Sequence, residues 1–177
     1  MQYKTVTLKN GQTASLGWLE QADLAEVIEA LNSVIREQKS LLILNEINDL
    51  EFEHQWFAEE IDLGMRYLVA RVGGKVVGGA SLTPLSGKRS HIAEYGIYVI
   101  DSHRDLGLGT LLTKAFVEIA RKSRFEIIQL SVFSNNKRAM HIYGKCGFKK
   151  CGKLKNDVKF ADGTYADRIL MEQALPR

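Results

Sequence analysis

The stretch Arg104-Asp105-Leu106-Gly107-Leu108-Gly109-Thr110 constrains this chain more than any other, because it joins a β-like run to an amphipathic helix through two glycines. Ahead of it, Ile92 to Ile100 is apolar, aromatic and β-branched and reads as a strand. Behind it, Leu108, Leu111, Leu112, Ala115, Phe116 and Ile119 recur at helical spacing. The glycines let the backbone turn tightly and let a ligand come close. The free N–H groups of the helix start, at the positive end of the helix dipole, suit a phosphate or pyrophosphate. A Gly-x-Gly taken alone fits a plain tight turn as well, so the rest of the chain has to decide.

The chain has 177 residues, 45% of them apolar, 25% charged and only 2 proline, which predicts one globular domain over residues 1–177 with a substantial core. A net charge of +3, spread along the chain, gives no basic patch for nucleic acid. Met1 to Asn10 has no apolar core of the signal-peptide kind and no run reaches transmembrane length, so a soluble, cytoplasmic protein without membrane attachment is expected. Cys146 and Cys151 are too few for a disulfide framework. His54, His91, His103 and His141 lack metal-site spacing, so no metal is expected.

Thr5 to Leu8 and Thr13 to Leu19 read as strands around an Asn10-Gly11 turn. Leu24, Val27, Ile28, Leu31 and Ile35 mark a first helix, and Leu50 to Ile61, with Phe52, Trp56 and Phe57, a second. Between them Leu41 to Leu44 is a short apolar run compatible with strand, helix or packed loop. Tyr67 to Val72 and Val76 to Thr83 flank Gly73-Gly74-Lys75 as a hairpin. The glycine loop then opens a helix from Gly107 to Lys122, followed by a strand at Glu126 to Phe133 and a short helix at Asn136 to Cys146, stopped by Gly147. Lys149 to Phe160 and Tyr165 to Glu172 close the chain as a hairpin. This order predicts a mixed α/β fold of the α+β type: a mostly antiparallel central sheet flanked by helices on both faces. A dinucleotide-binding domain would alternate strand and helix from the start.

Three segments together resemble the GNAT superfamily of acyl-CoA-dependent N-acyltransferases. They are Arg104-x-x-Gly107-x-Gly109 after a strand ending in Val99, Asn136-x-x-Ala139-x-x-Ile142-Tyr143-x-x-x-Gly147-Phe148, and Gly73-Gly74-Lys75-Val76-Val77-Gly78. The resemblance implies acetyl-CoA as co-substrate and an amine acceptor, with Val99, Arg104, Leu106, Gly107, Gly109, Thr110 and Asn136 at the cofactor. It leaves room for a homodimer. Asp105 stands where the family often has glycine, and a carboxylate beside a pyrophosphate is repulsive unless it turns away or pairs with Arg104 or His103. Lys137 and Arg138 are further candidates for CoA phosphates, and Cys146 reads as a small buried hydrophobe.

An amine attacking a thioester builds charge on the carbonyl oxygen, which calls for a fixed backbone N–H. The resemblance places that donor at Val99; ordinary ladder pairing is the other role open to this residue. Tyr143 is similar to the tyrosine that protonates the departing CoA thiolate, and its spacing also fits core packing. Glu94 is the best candidate base, because strand alternation puts it on one face with Gly96 and Tyr98, unless a bulge intervenes. A solvated carboxylate is the alternative, and His91 is the reserve base. Asn136 fits the pantetheine arm and equally a helix N-cap. The resemblance assigns the acceptor wall to the first two helices, where Glu46, Asp49, Glu51, Glu53, Glu59, Glu60 and Asp62 either form a solvated face or steer a cationic amine. Trp56 and Phe57 are the aromatic candidates for that wall. The leading reading is an N-acetyltransferase acting on a small-molecule amine or peptide N-terminus by direct attack in a ternary complex; a non-catalytic acyl-CoA sensor is the alternative.

Overall fold

The computed structural model describes residues 2–43 and 45–175. β1 (Gln2–Thr7) and β2 (Thr13–Trp18) form the first hairpin, α1 (Leu24–Ile35) and α2 (Leu50–Asp62) follow, and β3 (Arg66–Val72) and β4 (Lys75–Pro84) make the second. Then come β5 (Ile92–Val99), α3 (Leu108–Arg121), β6 (Ile127–Phe133), α4 (Lys137–Lys145), β7 (Lys149–Lys159) and β8 (Tyr165–Ala174). The strands form one sheet in the order β1-β2-β3-β4-β5-β6-β8-β7. β5 and β6 run parallel, and the other neighbours are antiparallel. The expected α+β architecture is observed.

Alternation along the strands decides which helix lies on which face. Leu68, Ala70, Leu82 and Tyr95 pack with Leu112 and Phe116 of α3 and with Tyr143 of α4. Val69, Val76 and Tyr98 turn the other way, onto Val27, Ala30 and Val34 of α1. Phe57 of α2 is buried against Leu24 and Met65, so it is a core residue. The run from Leu41 is an irregular connection: Leu41 packs against the α1 side, while Leu42 and Ile43 are 55% and 46% exposed. Leu44 lies outside the described residues.

Two tyrosines crowd the middle of the sheet and depend on a glycine. A Cβ on Gly79 would lie 2.8 Å from the Tyr67 hydroxyl and 2.9 Å from a Tyr98 ring carbon. Burial pushes the Tyr67 hydroxyl up to about 12, so it stays protonated, hydrogen bonded to Tyr98. The Tyr98 hydroxyl in turn donates to the Val27 carbonyl at 3.3 Å. Gly79→Ala forces these rings apart and is expected to destabilise the protein by about 1–3 kcal/mol. Thermal or urea unfolding measures the loss; an unchanged midpoint would mean that the rings give way freely.

Candidate active site

β5 carries most of the site, and its hydrogen bonding determines what it presents. Leu85 N–H to Ile92 O and Ile100 N–H to Val77 O, both 3.0 Å, bracket a β4–β5 ladder without a register shift. Even-numbered residues of β5 therefore aim their backbone polar groups at β4, and odd-numbered ones aim them at β6. The ladder to β6 covers Ile92, Ala93 and Glu94 and then stops, opposite Gln129. Beyond that point the strands part, and the N–H groups of Ile97 and Val99 face the gap. With no bulge, Glu94, Gly96 and Tyr98 do share one face, as the alternation predicts.

The gap opens into a cavity of about 1000 Å³. Its lining takes Arg104, Asp105, Gly109 and Thr113 from the glycine loop and α3, Glu94 to Val99 and Ser131 to Phe133 from the parted strands, and Leu41, Leu42, Ile43, Trp56, Glu60 and Met65 from the side of α1 and α2. Asn136 and Tyr143 line it from the α4 side. Leu106 and Gly107 of the turn and Thr110 at the start of α3 are not on this lining. Gly107 sits at φ 94° as the residue preceding α3, a left-handed position that other residues enter with difficulty. The Leu106 carbonyl accepts the Lys9 N–H at 3.2 Å, and the Lys9 stem passes 4.0 Å from where a Gly107 Cβ would stand.

The Arg104 side chain lies on the cavity and is held there by protein groups. Its Nε donates to the Val99 carbonyl at 2.9 Å, and its two terminal nitrogens form a fork to Glu37 at 2.6 and 2.7 Å. A further bond reaches Asp101 at 3.0 Å, so four of the five guanidinium N–H groups have protein partners. The hydrogen bonds to Glu37 chiefly raise the guanidinium above its ordinary pKa. Asp105 pairs with Arg138 at 3.0 Å rather than with Arg104 or His103. The loop thus offers an anion mainly backbone N–H groups.

Tyr143 is buried with its ring edge-on to Tyr95, 6.4 Å between centroids. Burial raises its hydroxyl well above the ordinary tyrosine value, so it keeps its proton across neutral and mildly alkaline pH. Thr113, which the sequence did not single out, donates to the Gly109 carbonyl at 2.8 Å, so the Tyr95 hydroxyl must donate to it at 3.1 Å. Asn136 is an N-cap: its side-chain oxygen accepts from Ala139 N at 3.1 Å, while the residue also lines the cavity. Glu94 is exposed to the cavity. His91 lies off the lining, its carbonyl accepting from Glu126 N at 2.8 Å.

The acidic stretch is mostly a solvated face. Glu46 pairs with Arg36 at 2.6 Å, the Asp49 side chain caps α2 through Phe52 N at 2.9 Å, and from Glu46 to Asp62 only Glu60 among the acids borders the cavity. Trp56 borders it as well. Among the described residues no His, Cys, Asp and Glu side chains group as a metal site, and no helix is long and apolar enough to cross a membrane.

Residues 29–148 match the acetyltransferase (GNAT) family, and the chain belongs to it. An L-amino acid N-acetyltransferase of Escherichia coli is 32% identical over 124 residues, covering 67% of this chain and 75% of that protein. A phosphinothricin N-acetyltransferase of Alcaligenes faecalis is 31% identical over 122 residues, 67% of this chain and 61% of the relative. The crystal structure of a ribosomal-protein-alanine N-acetyltransferase from Brucella melitensis is similar with a TM-score of 0.81 at 29% identity, covering 90% of this chain and 99% of that one. The protein is therefore an acetyl-CoA-dependent N-acetyltransferase.

Asp105 holds a left-handed backbone, φ 62°, for which an aspartate is less suited than glycine. Its pair with Arg138 is solvent-exposed, a kind worth about 0–1 kcal/mol. Asp105→Gly is expected to raise the melting temperature slightly and to leave acetyl-CoA affinity, measured by calorimetry, equal or tighter. A marked loss of either would mean that the Arg138 pair outweighs the strain.

Proposed function

We propose that the chain transfers the acetyl group of acetyl-CoA to the amine of a small acceptor with an apolar body, such as an amino acid, by direct attack in a ternary complex. One observation carries this reading: a single cavity runs from the glycine loop, through the parted strands, to an apolar wall, with Glu94 and Tyr143 both on its lining. Acetyl-CoA supplies the activated carbonyl and a thiolate leaving group. The backbone N–H groups from Leu106 to Thr110 hold its pyrophosphate at the start of α3. The Val99 N–H, pointing into the gap without a β6 partner opposite it, steadies the negative charge that grows on the carbonyl oxygen. Ile97 and Asn136 orient the pantetheine arm through backbone and side-chain polar groups.

Glu94 takes the proton from the acceptor ammonium, directly or through water, so that a free amine attacks. Tyr143 then gives its proton to the departing sulfur. Burial keeps the hydroxyl protonated over the whole working range, as a donor requires, while making it a weaker acid than an exposed tyrosine. Leu41, Leu42, Ile43, Trp56 and Met65 receive the apolar body of the acceptor, and Lys39 on the same lining suits a carboxylate. The names of the curated relatives, acting on an L-amino acid and on phosphinothricin, support an amino acid over a polyamine.

Thiol release with acetyl-CoA over L-phenylalanine, L-lysine, spermidine and an alanine-initiated peptide tests the acceptor: L-phenylalanine is expected to give the highest kcat/KM, and a preference for spermidine would contradict the apolar wall. The two catalytic roles separate by pH. Tyr143→Phe is expected to lower kcat by about 10- to 100-fold with unchanged acetyl-CoA affinity. Glu94→Gln is expected to lower the rate by about 100-fold at pH 7 and to recover partly at pH 9, where more of the amine is already free. A Gln variant with the wild-type profile from about pH 6 to 9 would place the base elsewhere.

A further inference from the structure

Glu37 joins two parts of the cavity that the proposed reaction uses separately. It lies just past α1, where Glu37 N bonds to Val34 O at 3.3 Å and Gln38 N to Ile35 O at 2.9 Å. Gln38 then turns left-handed at φ 53° and sends the chain into the connection whose residues Lys39 to Ile43 line the acceptor end. The same Glu37 carboxylate grips Arg104, the first residue of the glycine loop, 67 positions further along. Both side chains are largely withdrawn from water, at 15% and 18% exposure. A two-pronged carboxylate–guanidinium fork of this kind fixes orientation as well as distance. The Asp101 partner is 86% exposed and adds little by comparison. Through Nε, Arg104 also holds the carbonyl of Val99, whose N–H faces the parted strands.

We propose that the Glu37–Arg104 fork couples the acetyl-CoA site to the acceptor wall, with Glu37 as the positioning residue for both. The inference rests on the acetyltransferase reading above. Anchoring the cofactor loop draws the root of the 38–43 segment into place, so filling one end of the cavity prepares the other. The competing role for Arg104 is that of a phosphate ligand. The two roles predict opposite signs for one substitution. Glu37→Gln removes a negative charge from the cavity wall and frees the guanidinium; if Arg104 is a ligand, acetyl-CoA must then bind equally or more tightly. If the fork is a positioning device, the loop loses its anchor and binding weakens.

Calorimetry with acetyl-CoA on the full chain decides between them. Glu37→Gln and Arg104→Gln are each expected to weaken binding by about tenfold, and the double variant by no more than either alone, the signature of residues acting as a unit. Arg104→Lys keeps the charge and loses the fork, so it is expected to behave like Arg104→Gln. Glu37→Asp, which retracts the carboxylate by one methylene, repeats the test should Glu37→Gln melt early. Hydrogen exchange followed by mass spectrometry reads the coupling itself. Acetyl-CoA is expected to slow exchange over residues 38–43 in the wild type and to leave it unchanged in Glu37→Gln. Equal or tighter binding by Glu37→Gln, or equal protection of that segment in both proteins, would overturn the inference while leaving the acetyltransferase reading intact. Absence of any acetyl-CoA binding by the wild type would overturn both.

Discussion

β5 and β6 share a parallel ladder through Glu94 and Gln129 and then separate, and the site depends on that separation. A strand that loses its neighbour leaves backbone donors that must be satisfied by water or by a ligand. In β5 these are the odd-numbered residues beyond that ladder, because the unbroken register with β4 occupies the even ones. Each strand is secured on its far side, β5 by β4 and β6 by β8 along its whole length, so the gap is held open by two firm edges. Tyr95, Phe116, Tyr143 and Phe148 form an aromatic cluster under it, with centroid separations of 5.7 to 6.4 Å. The cluster fixes Tyr143, which also lines the cavity.

The glycine-loop end of the proposed site follows a different logic. Side-chain charges there are largely spent on each other: Arg104 on Glu37 and Asp101, Arg138 on Asp105. Backbone donors at the start of α3 remain, fixed in direction by Gly107 and requiring no side-chain ordering on binding. Paired charges still matter, because they determine where the loop lies relative to Val99 and to the end of α1.

Most of the fold was legible in the sequence because it rests on local rules. The apolar periodicity of α1 and α3, the glycine turn between β3 and β4, and the alternation in β5 each depend on neighbours within a few residues. The N-cap role of Asn136 is local in the same way. What escaped depends on pairing across the chain. Asp105 meets Arg138, 33 residues on, instead of the adjacent Arg104, because Arg104 is already held by Glu37. Thr113 lines the cavity and bonds to Tyr95 on another element, a pairing that its own surroundings in the sequence do not signal. The acidic run from Glu46 to Asp62 was open to a solvated face or to steering, and composition alone does not reveal that α2 turns only Glu60 and Trp56 to the cavity. Nor could Leu42 and Ile43 declare whether they were core or cavity wall, since an apolar residue facing a binding site has the same composition as one facing the core.

Residue-resolved amide exchange by NMR, without and with acetyl-CoA, reads the open edge of β5 residue by residue. Gly96 and Tyr98, bonded to β4, are expected to be protected in both states, whereas Ile97 and Val99 exchange fast in the free protein and become protected when acetyl-CoA binds. Equal protection of all four amides before acetyl-CoA is added, or no change at Ile97 and Val99 after it, would contradict the account.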